Sequence, residues 1–421
     1  MIKKNDKIFV AGHNGLIGSA IVKQLKSKGY KNIITIDKKK LDLLNQNNVF
    51  KFLKKIKPKV TIIAAAKVGG IYANNIFRGE YVYENLAIQN NLIHGSYING
   101  VKELIFLGSS CIYPRLCPQP IKEEYLLSKS LEKTNEGYAV AKISGVLMCK
   151  SYNHQYKTNY RCIMPANSYG PGDKYDKLNS HFFPALIRKV VDAKKNGKDF
   201  IRIWGNGQAK RELIFNEDIA NACVYFLNKK TKETLINIGT GDDKKIIDYA
   251  KFVMKMLNYN VKIKFDKSKP NGVPRKLLDS SLAKKYGWKA KTNLEDGFWK
   301  TYHSFIKKYS KELNFWIITG TPTSEIEVIA RERGLTSCFI GIHGSPKNKR
   351  YWTEYLLKKH NLKREETLFL GDATTDQDAA VFSKLHFALR ENDENKAIFK
   401  DYKGNRFKDF FEFEKNFKNN I

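Results

Sequence analysis

Apolar runs of four or five residues recur through the first 240 positions, each bounded by a glycine, an asparagine or a charged residue. Lys7 to Ala11 (KIFVA), Asn32 to Ile36 (NIITI), VTII at 60–63, LIFL at 104–107, RCIMP at 161–165 and LINI at 235–238 read as strands. The runs are continuous rather than alternating, which is the pattern of strands covered on both faces of a parallel sheet. Between them, apolar residues three and four apart predict helices over Ser19 to Gly29, after Tyr83-Glu84-Asn85 to about Asn99, around Tyr138 to Lys142, and over Asn216 to Asn228. Strands alternating with helices predict an α/β fold built on a doubly wound parallel sheet.

The first strand runs directly into Gly12-His13-Asn14-Gly15-Leu16-Ile17-Gly18, followed by a helical stretch. This GxxGxxG in a strand–turn–helix setting lets the backbone approach a pyrophosphate, and the helix N-terminus supplies N–H donors. The sheet is therefore expected to be of the Rossmann type. The second strand ends at Asp37, 19 residues after Gly18, where an acidic residue binds ribose hydroxyls and disfavours a 2′-phosphate. Lys38, Lys39 and Lys40 follow at once and suit that phosphate, so NADP and NAD both remain open.

Residues 104–142 hold the candidate chemistry. LIFL stops at Gly108, and Ser109, Ser110 and Cys111 emerge at the carboxyl end of the strand, where open α/β sheets place their ligands. Tyr138 and Lys142 are four apart in a helical pattern and share one face. A cation beside a phenol favours the phenolate, so the spacing predicts a lowered phenol pKa and a proton donor near neutrality.

Charge changes this picture little. The net charge is +33, but only 13 of 75 basic residues are Arg and the lysines are spread along the chain. That distribution is a compositional bias rather than a nucleic-acid patch. Six cysteines without a CxxC pair indicate neither a zinc site nor a disulfide framework, and a reducing cytoplasm fits. No signal-peptide pattern opens the sequence, and no apolar run reaches the ~18 residues needed to span a membrane. No metal site is expected in this part of the chain.

Residues 1 to about 310 resemble the extended short-chain dehydrogenase/reductases, and within them the GDP-L-fucose synthase family. AGHNGLIGSAI, AAAKVGGIYANN, FLGSSCIYP, TNEGYAVAK, MPANSYGPGD, NSHFFPALIRK and SKPNGVPRKLLD carry the resemblance. It implies epimerisation of GDP-4-keto-6-deoxy-D-mannose at C3 and C5, then reduction at C4 with NADPH, NADH being possible. Ser109, Tyr138 and Lys142 match the reductase triad, and Cys111 and His181 the epimerisation base and acid. Cofactor contacts are implied for Gly12, Asn14, Gly15, Leu16, Ile17, Gly18, Asp37, Lys38, Leu107, Gly108, Lys142, Pro165, Asn167 and His181. Substrate contacts are implied for Lys189, Trp204, Arg211 and Asn271. Asn14 stands where the family often has Arg, Ile36 and Asp37 where an Arg contacts the NADP phosphate, and Asn271 where an Asp is expected. A homodimer through the helices near 83–99 and 138–155 is also implied. The alternatives are another extended-family sugar-nucleotide epimerase or reductase and, from a different class, a basic nucleic-acid-binding protein.

The expected organisation is a cofactor-binding domain (1–171 with 215–240), a smaller α+β substrate domain (172–214 with 241–313) and a C-terminal α/β fragment (314–421). In that fragment FWIITGTP reads as a strand ending at Thr319, and LFLGDATTDQDAA as a strand ending at Asp372 with Asp376 four residues on. With Lys347 and Lys349 between them, these resemble the second to fourth motifs of the haloacid dehalogenase superfamily. The only DxD, Asp376-Gln377-Asp378, falls inside the fourth motif, so the fragment is read as lacking its nucleophile.

Overall fold

The computed structural model describes residues 2–175, 180–269, 272–310, 314–333, 335–336 and 339–408, with backbone alone at 195 and 306–310. Asn271 lies outside the described residues. The chain divides into two compact units, Met1–Arg188 with Arg202–Tyr302 and Lys189–Ile201 with His303–Ile421.

In the first unit, strands β1 (Ile8–Ala11), β2 (Ile33–Ile34), β3 (Val60–Ile63), β4 (Glu103–Leu107) and β5 (Asn159–Pro165) are followed by β6 (Asn167–Tyr169). Then come β7 (Phe200–Trp204), whose first two residues are counted in the second unit, β8 (Lys210–Phe215), β9 (Leu235–Ile238), β10 (Asp243–Lys245), β11 (Lys262–Asp266) and β12 (Arg275–Lys276). Six of these form one parallel sheet in the order β2-β1-β3-β4-β5-β9. The order reverses at β1, which pairs with β2 on one side and β3 on the other, and this is the switch point at which such sheets bind ligands. The sheet centre is fully buried, from Ile8, Phe9 and Val10 through Leu104, Ile105 and Phe106 to Cys162 and Ile163. That is why these strands read as unbroken apolar runs.

The helices are α1 (Leu16–Ser27), α2 (Gln46–Ile56), α3 (Ile71–Ile76), α4 (Arg78–Ile98), α5 (Glu136–Tyr156), α6 (Phe182–Lys195) and α7 (Asn216–Asn228). After them come α8 (Ile246–Met256), α9 (Ser281–Lys285) and α10 (Leu294–Ser310). Helix α1 packs with α7, and α4 with α5. The predicted helix over 216–228 matches α7, but α4 begins well before its expected start, so Tyr83 to Asn85 lie inside it. No proline or glycine breaker separates Glu80 from Asn85, and Glu80 places a carboxylate in the first turn, where it complements the helix dipole. A second sheet surrounds β8, with β10 antiparallel to it and β12 and β6 parallel to it.

Asp173 follows the Gly170-Pro171-Gly172 turn. One of its oxygens accepts the Lys174 N–H at 2.8 Å, while the other is buried without a partner. Burial pushes this carboxyl up to about 7. Between the unfolded value near 3.8 and that value, the native state holds a proton that the unfolded chain has lost. Stability therefore falls as pH rises through this window. Asp173→Asn is expected to be near neutral at pH 4 and to stabilise by roughly 1–4 kcal/mol at pH 8. Urea unfolding of both proteins at the two pH values checks this, and equal effects at both would contradict it.

In the second unit, β13 (Trp316–Pro322) is parallel to β14 (Gly341–Ser345), and α11 (Thr323–Glu332) connects them. Helix α12 (Lys349–Lys359) leads to β15 (Leu368–Gly371), α13 (Thr374–Phe382), β16 (His386–Arg390) and β17 (Asn405–Phe407). These last three strands form a separate parallel sheet. β13 runs three residues past Thr319, with a register shift between Ile318 and Pro322. There the Thr321 N–H turns to the Thr319 hydroxyl at 3.2 Å. β15 stops one residue before Asp372, whose N–H is taken by the Asp376 carboxylate at 3.2 Å.

Candidate active site

At the end of β1 the chain turns at Gly12, whose φ of +85° lies in the left-handed region. A Cβ there would stand 2.5 Å from the Ala65 nitrogen, and one on Gly18 would stand 2.0 Å from the Gly12 carbonyl oxygen. Only glycine fits these two approaches. Gly15 donates back to the Gly12 carbonyl at 3.0 Å and forms the N-cap of α1 without any side chain to cover the first-turn N–H groups of Leu16 and Ile17. That is the cradle a pyrophosphate requires. Asp37 is tied to this loop, because its Oδ1 accepts from Asn14 Nδ2 at 2.8 Å and lies 3.4 Å from His13 Nε2.

β4 delivers the next group. Gly108 donates to the Ile163 carbonyl at 3.0 Å, and Met164 fills the space a Cβ would need. Ser109 then caps a single short turn over Ser110–Ile112, its hydroxyl accepting the Cys111 N–H at 3.3 Å. This turn brings Cys111 back beside Ser109. Tyr138 joins them from α5: Cys111 packs with Tyr138, Tyr81 and Ala73, and Ser109 is near enough to the phenol to favour its ionised form. Three residues from two chain segments therefore meet at the carboxyl end of β4.

The electrostatics correct one expectation. Tyr138 is held above the ordinary tyrosine value, not below it, because burial and the nearby Cys111 outweigh the Ser109 hydrogen bond. Lys142 does not oppose this. Its Nζ donates to the Leu107 carbonyl at 2.8 Å, sits over the Phe106 ring at 4.6 Å and lies 6.0 Å from the Tyr138 ring centroid. Burial lowers the Lys142 ammonium to about 8. Helical spacing put the two on one face, but the carbonyl captured the ammonium.

Cys111 behaves in the opposite way. Burial raises its thiol, yet the Lys276 charge, hydrogen bonds from Ser109 and Lys276, and Arg211 more than offset this, and the net shift is downward. Lys276 Nζ stands 3.2 Å from the sulfur. Arg211 on β8 is buried, donates to the Lys210 and Val273 carbonyls at 2.7 Å each, and is lowered by burial to about 10. Glu212, the next residue, accepts from the Gly241 and Leu278 N–H groups at 2.7 and 2.9 Å, and burial pushes it up to about 7.

The other expected residues are less concentrated. Pro165 ends β5 opposite Ile238, and Asn167 opens β6 opposite Leu213. Lys38 is exposed just after Asp37. His181 immediately precedes α6 and its carbonyl accepts from Ala185 at 3.1 Å; burial and Lys174 hold its imidazole below the ordinary value. No contact among those described joins it to Cys111 or Tyr138. Trp204 ends β7, with the Lys269 ammonium 5.8 Å from its ring. Lys189 lies on α6, in the segment belonging to the second unit. Two residues carry more than motif reading assigned to them. Lys276 lies within SKPNGVPRKLLD, and its nearness to Cys111 arises only in the fold, where β12 pairs with β8 and Gln119 bonds to the residues on either side of Lys276. Asn85 clamps the AAAKVGG loop, accepting from the Lys67 N–H and donating to the Lys67 carbonyl, both at 3.0 Å.

Comparison with known proteins agrees with this geometry. The NAD dependent epimerase/dehydratase family profile matches residues 8–239. The GDP-L-fucose synthase of Sinorhizobium fredii is 47% identical over 300 residues, 71% of this chain and 95% of that protein. GDP-L-fucose synthase 1 of Arabidopsis thaliana is 45% identical over 307 residues, 73% of this chain and 95% of that protein. Among solved structures, the GDP-mannoheptose C4 reductase from Campylobacter jejuni with NADP bound superposes with a TM-score of 0.66 at 36% identity, covering 73% of this chain and all of that one. The chain belongs to the NAD dependent epimerase/dehydratase family and, within it, to the GDP-L-fucose synthase family.

Proposed function

We propose that this chain uses NADPH to convert GDP-4-keto-6-deoxy-D-mannose to GDP-L-fucose, epimerising C3 and C5 before reducing C4. The observation that carries this reading is the meeting of Ser109, Cys111 and Tyr138 at the end of β4, with the Cys111 thiol lowered and the Tyr138 phenol raised. An epimerase needs a base that is ionised near neutrality, and a reductase needs a donor that is still protonated there.

C3 and C5 of a 4-keto sugar are both α to the carbonyl. Cys111 as thiolate removes a proton from either carbon, while Ser109 and Tyr138 donate to the oxygen on which enolate charge develops. His181 is assigned to return a proton to the opposite face; its lowered value makes the imidazolium a strong acid once formed. Bound in the glycine cradle, NADPH supplies the hydride that reduces C4. Tyr138 gives its proton to the same oxygen, so one oxygen-binding position serves both reactions. Lys189, Trp204, Arg211 and Asn271 are assigned to the GDP-sugar.

The cofactor assignment rests on the Gly12–Gly18 approaches and on Lys38 beside Asp37. NADH remains a usable second cofactor, since Asp37 repels a 2′-phosphate. The test is cofactor oxidation at 340 nm with the 4-keto sugar and NADPH or NADH, comparing kcat/KM. No oxidation with either cofactor would overturn the reading. A 4-keto GDP-heptose is the second substrate reading, favoured by the Campylobacter jejuni reductase, and faster turnover of that sugar would select it.

We also assign 1–171 with 215–240 to cofactor binding, 172–214 with 241–313 to substrate binding, and 314–421 to a haloacid-dehalogenase-like fragment. In support, Lys349 pairs with Asp376 at 2.6 Å and Asp372 with Arg390 at 3.1 Å, while Asp378 of the only DxD pairs with Arg350. These pairs engage the three aspartates of the fourth-motif stretch, so none of Asp372, Asp376 and Asp378 is offered as a nucleophile on phosphorus. Stopping the chain after Leu313 is expected to leave kcat within about two-fold, and the full chain is expected to release no phosphate with Mg²⁺. Loss of turnover on truncation, or phosphate release, would contradict this. A cytoplasmic homodimer through α4 and α5 is the assigned state. Exposed Tyr83, Val140 and Leu147 on those helices support it, and light scattering tests it. No described helix is long and apolar enough to cross a membrane.

A further inference from the structure

We propose that Lys276 is a positioning residue for proton abstraction, its ammonium seated against the Cys111 sulfur so that the sulfur stays the acceptor for the substrate proton. The inference rests on the epimerase reading above and extends it to a residue outside the Ser109–Cys111 and Tyr138–Lys142 segments.

The geometry begins with a short strand. β12 consists of Arg275 and Lys276, paired in parallel with Lys210 and Arg211 of β8. Successive side chains on a strand point to opposite faces. Arg275 accordingly turns one way, into a two-pronged ion pair with Asp243 at 2.7 and 3.1 Å, and Lys276 turns the other way, to within 3.2 Å of Cys111 Sγ. The backbone on either side of Lys276 is fixed. Gln119 donates to the Arg275 carbonyl at 3.3 Å and accepts the Leu277 N–H at 3.0 Å, while buried Glu212 accepts the Leu278 N–H at 2.9 Å. Lys276 therefore reaches the sulfur from a clamped strand rather than a loop.

Other groups around the sulfur do not replace it. Ser109 bonds locally and is neutral. Tyr138 and Tyr81, from α5 and α4, are both held protonated by burial and add no positive charge. Arg211 contributes positive charge from β8, but its Nη1 is bound to two carbonyls, and Glu132 lies near enough to offset part of its field. Among the described residues, the compact ammonium of Lys276 is the cation in direct contact. In the step it supports, the substrate C–H bond breaks, its electron pair moves into the enolate, and the proton forms the Cys111 S–H bond. The sulfur then carries no charge, and the ammonium favours release of that proton to solvent, which restores the thiolate while His181 serves the opposite face.

The test is the pH profile of Cys111 alkylation by iodoacetamide, read by mass spectrometry of the Cys111 peptide in the folded protein without substrate. Lys276→Met is expected to cut the rate at pH 7 at least ten-fold and to move the profile to higher pH, with recovery by pH 9.5. Lys276→Arg, which keeps the charge, is expected to retain most of the rate. Lys276→Gln serves as a second neutral variant should Lys276→Met fold poorly. In parallel, deuterium incorporation at C3 and C5 is expected to fall at pH 7 and recover at pH 9.5 in the neutral variants. A neutral-variant alkylation profile that superimposes on wild type overturns the proposal whatever the exchange assay reads. A shifted profile in a protein whose wild type shows no exchange supports the Lys276 contact and overturns the epimerase reading instead.

Discussion

Cys111→Ser is expected to abolish exchange of the C3 and C5 protons with solvent, by ~10³-fold or more, in a protein that still folds. Two features set that magnitude. Removal of a general base costs ~10²–10⁴-fold. A serine hydroxyl, moreover, cannot be ionised by the fields that lower the thiol, because its ordinary value lies several units higher. The substitution is nearly isosteric, and Cys111 is only half-buried, so packing loss is small. The measurement is deuterium uptake at C3 and C5 by NMR in D₂O, with circular dichroism to check the fold. Wild-type exchange in the variant would remove Cys111 from the base role.

Tyr138→Phe is expected to stop reduction and to slow exchange as well, each by ~10²–10⁴-fold. The two losses are linked because the phenol is both the donor to the C4 oxygen during enolisation and the acid during reduction. Burial holds the wild-type phenol above the ordinary tyrosine value. It stays protonated through neutral and mildly alkaline pH, so it should impose no fall in reduction rate below pH 9. Stopped-flow oxidation of NADPH across pH 6–9 reads the reduction and its pH profile, and deuterium uptake in D₂O reads the exchange. A variant that reduces at the wild-type rate would show that another group protonates C4.

Residues adjacent in sequence proved the most legible. The Gly12–Gly18 turn could be read because backbone approach there is a local steric matter, and α7 because its apolar spacing has no competing breaker. Five strands of the main sheet could be read because burial on both faces leaves an unbroken apolar run, whereas the edge strand β2 is short and half-buried. The direction of the Tyr138 shift could not be read. Helical spacing placed Lys142 on the same face, but the Leu107 carbonyl, 35 residues away, captured its ammonium, and burial then decided the sign. Lys276 was illegible for a related reason: 165 positions separate it from Cys111, and the long-range contacts of β12 with β8 and with Gln119 bring them together. The early start of α4 was hidden by Asn74, Asn75 and Asn85, which read as loop residues. In the fold Asn74 and Asn85 instead clamp the backbone of the 67–70 loop.

The central claim is that one oxygen-binding position, formed by Ser109 and Tyr138, serves both proton exchange and hydride reduction. The most direct test is a single reaction of GDP-4-keto-6-deoxy-D-mannose with NADPH in D₂O, followed by NMR of the product. The account predicts GDP-L-fucose carrying deuterium at C3 and C5 and protium at C4. A reduced sugar without deuterium at C3 and C5, or exchange without any reduction, would contradict it.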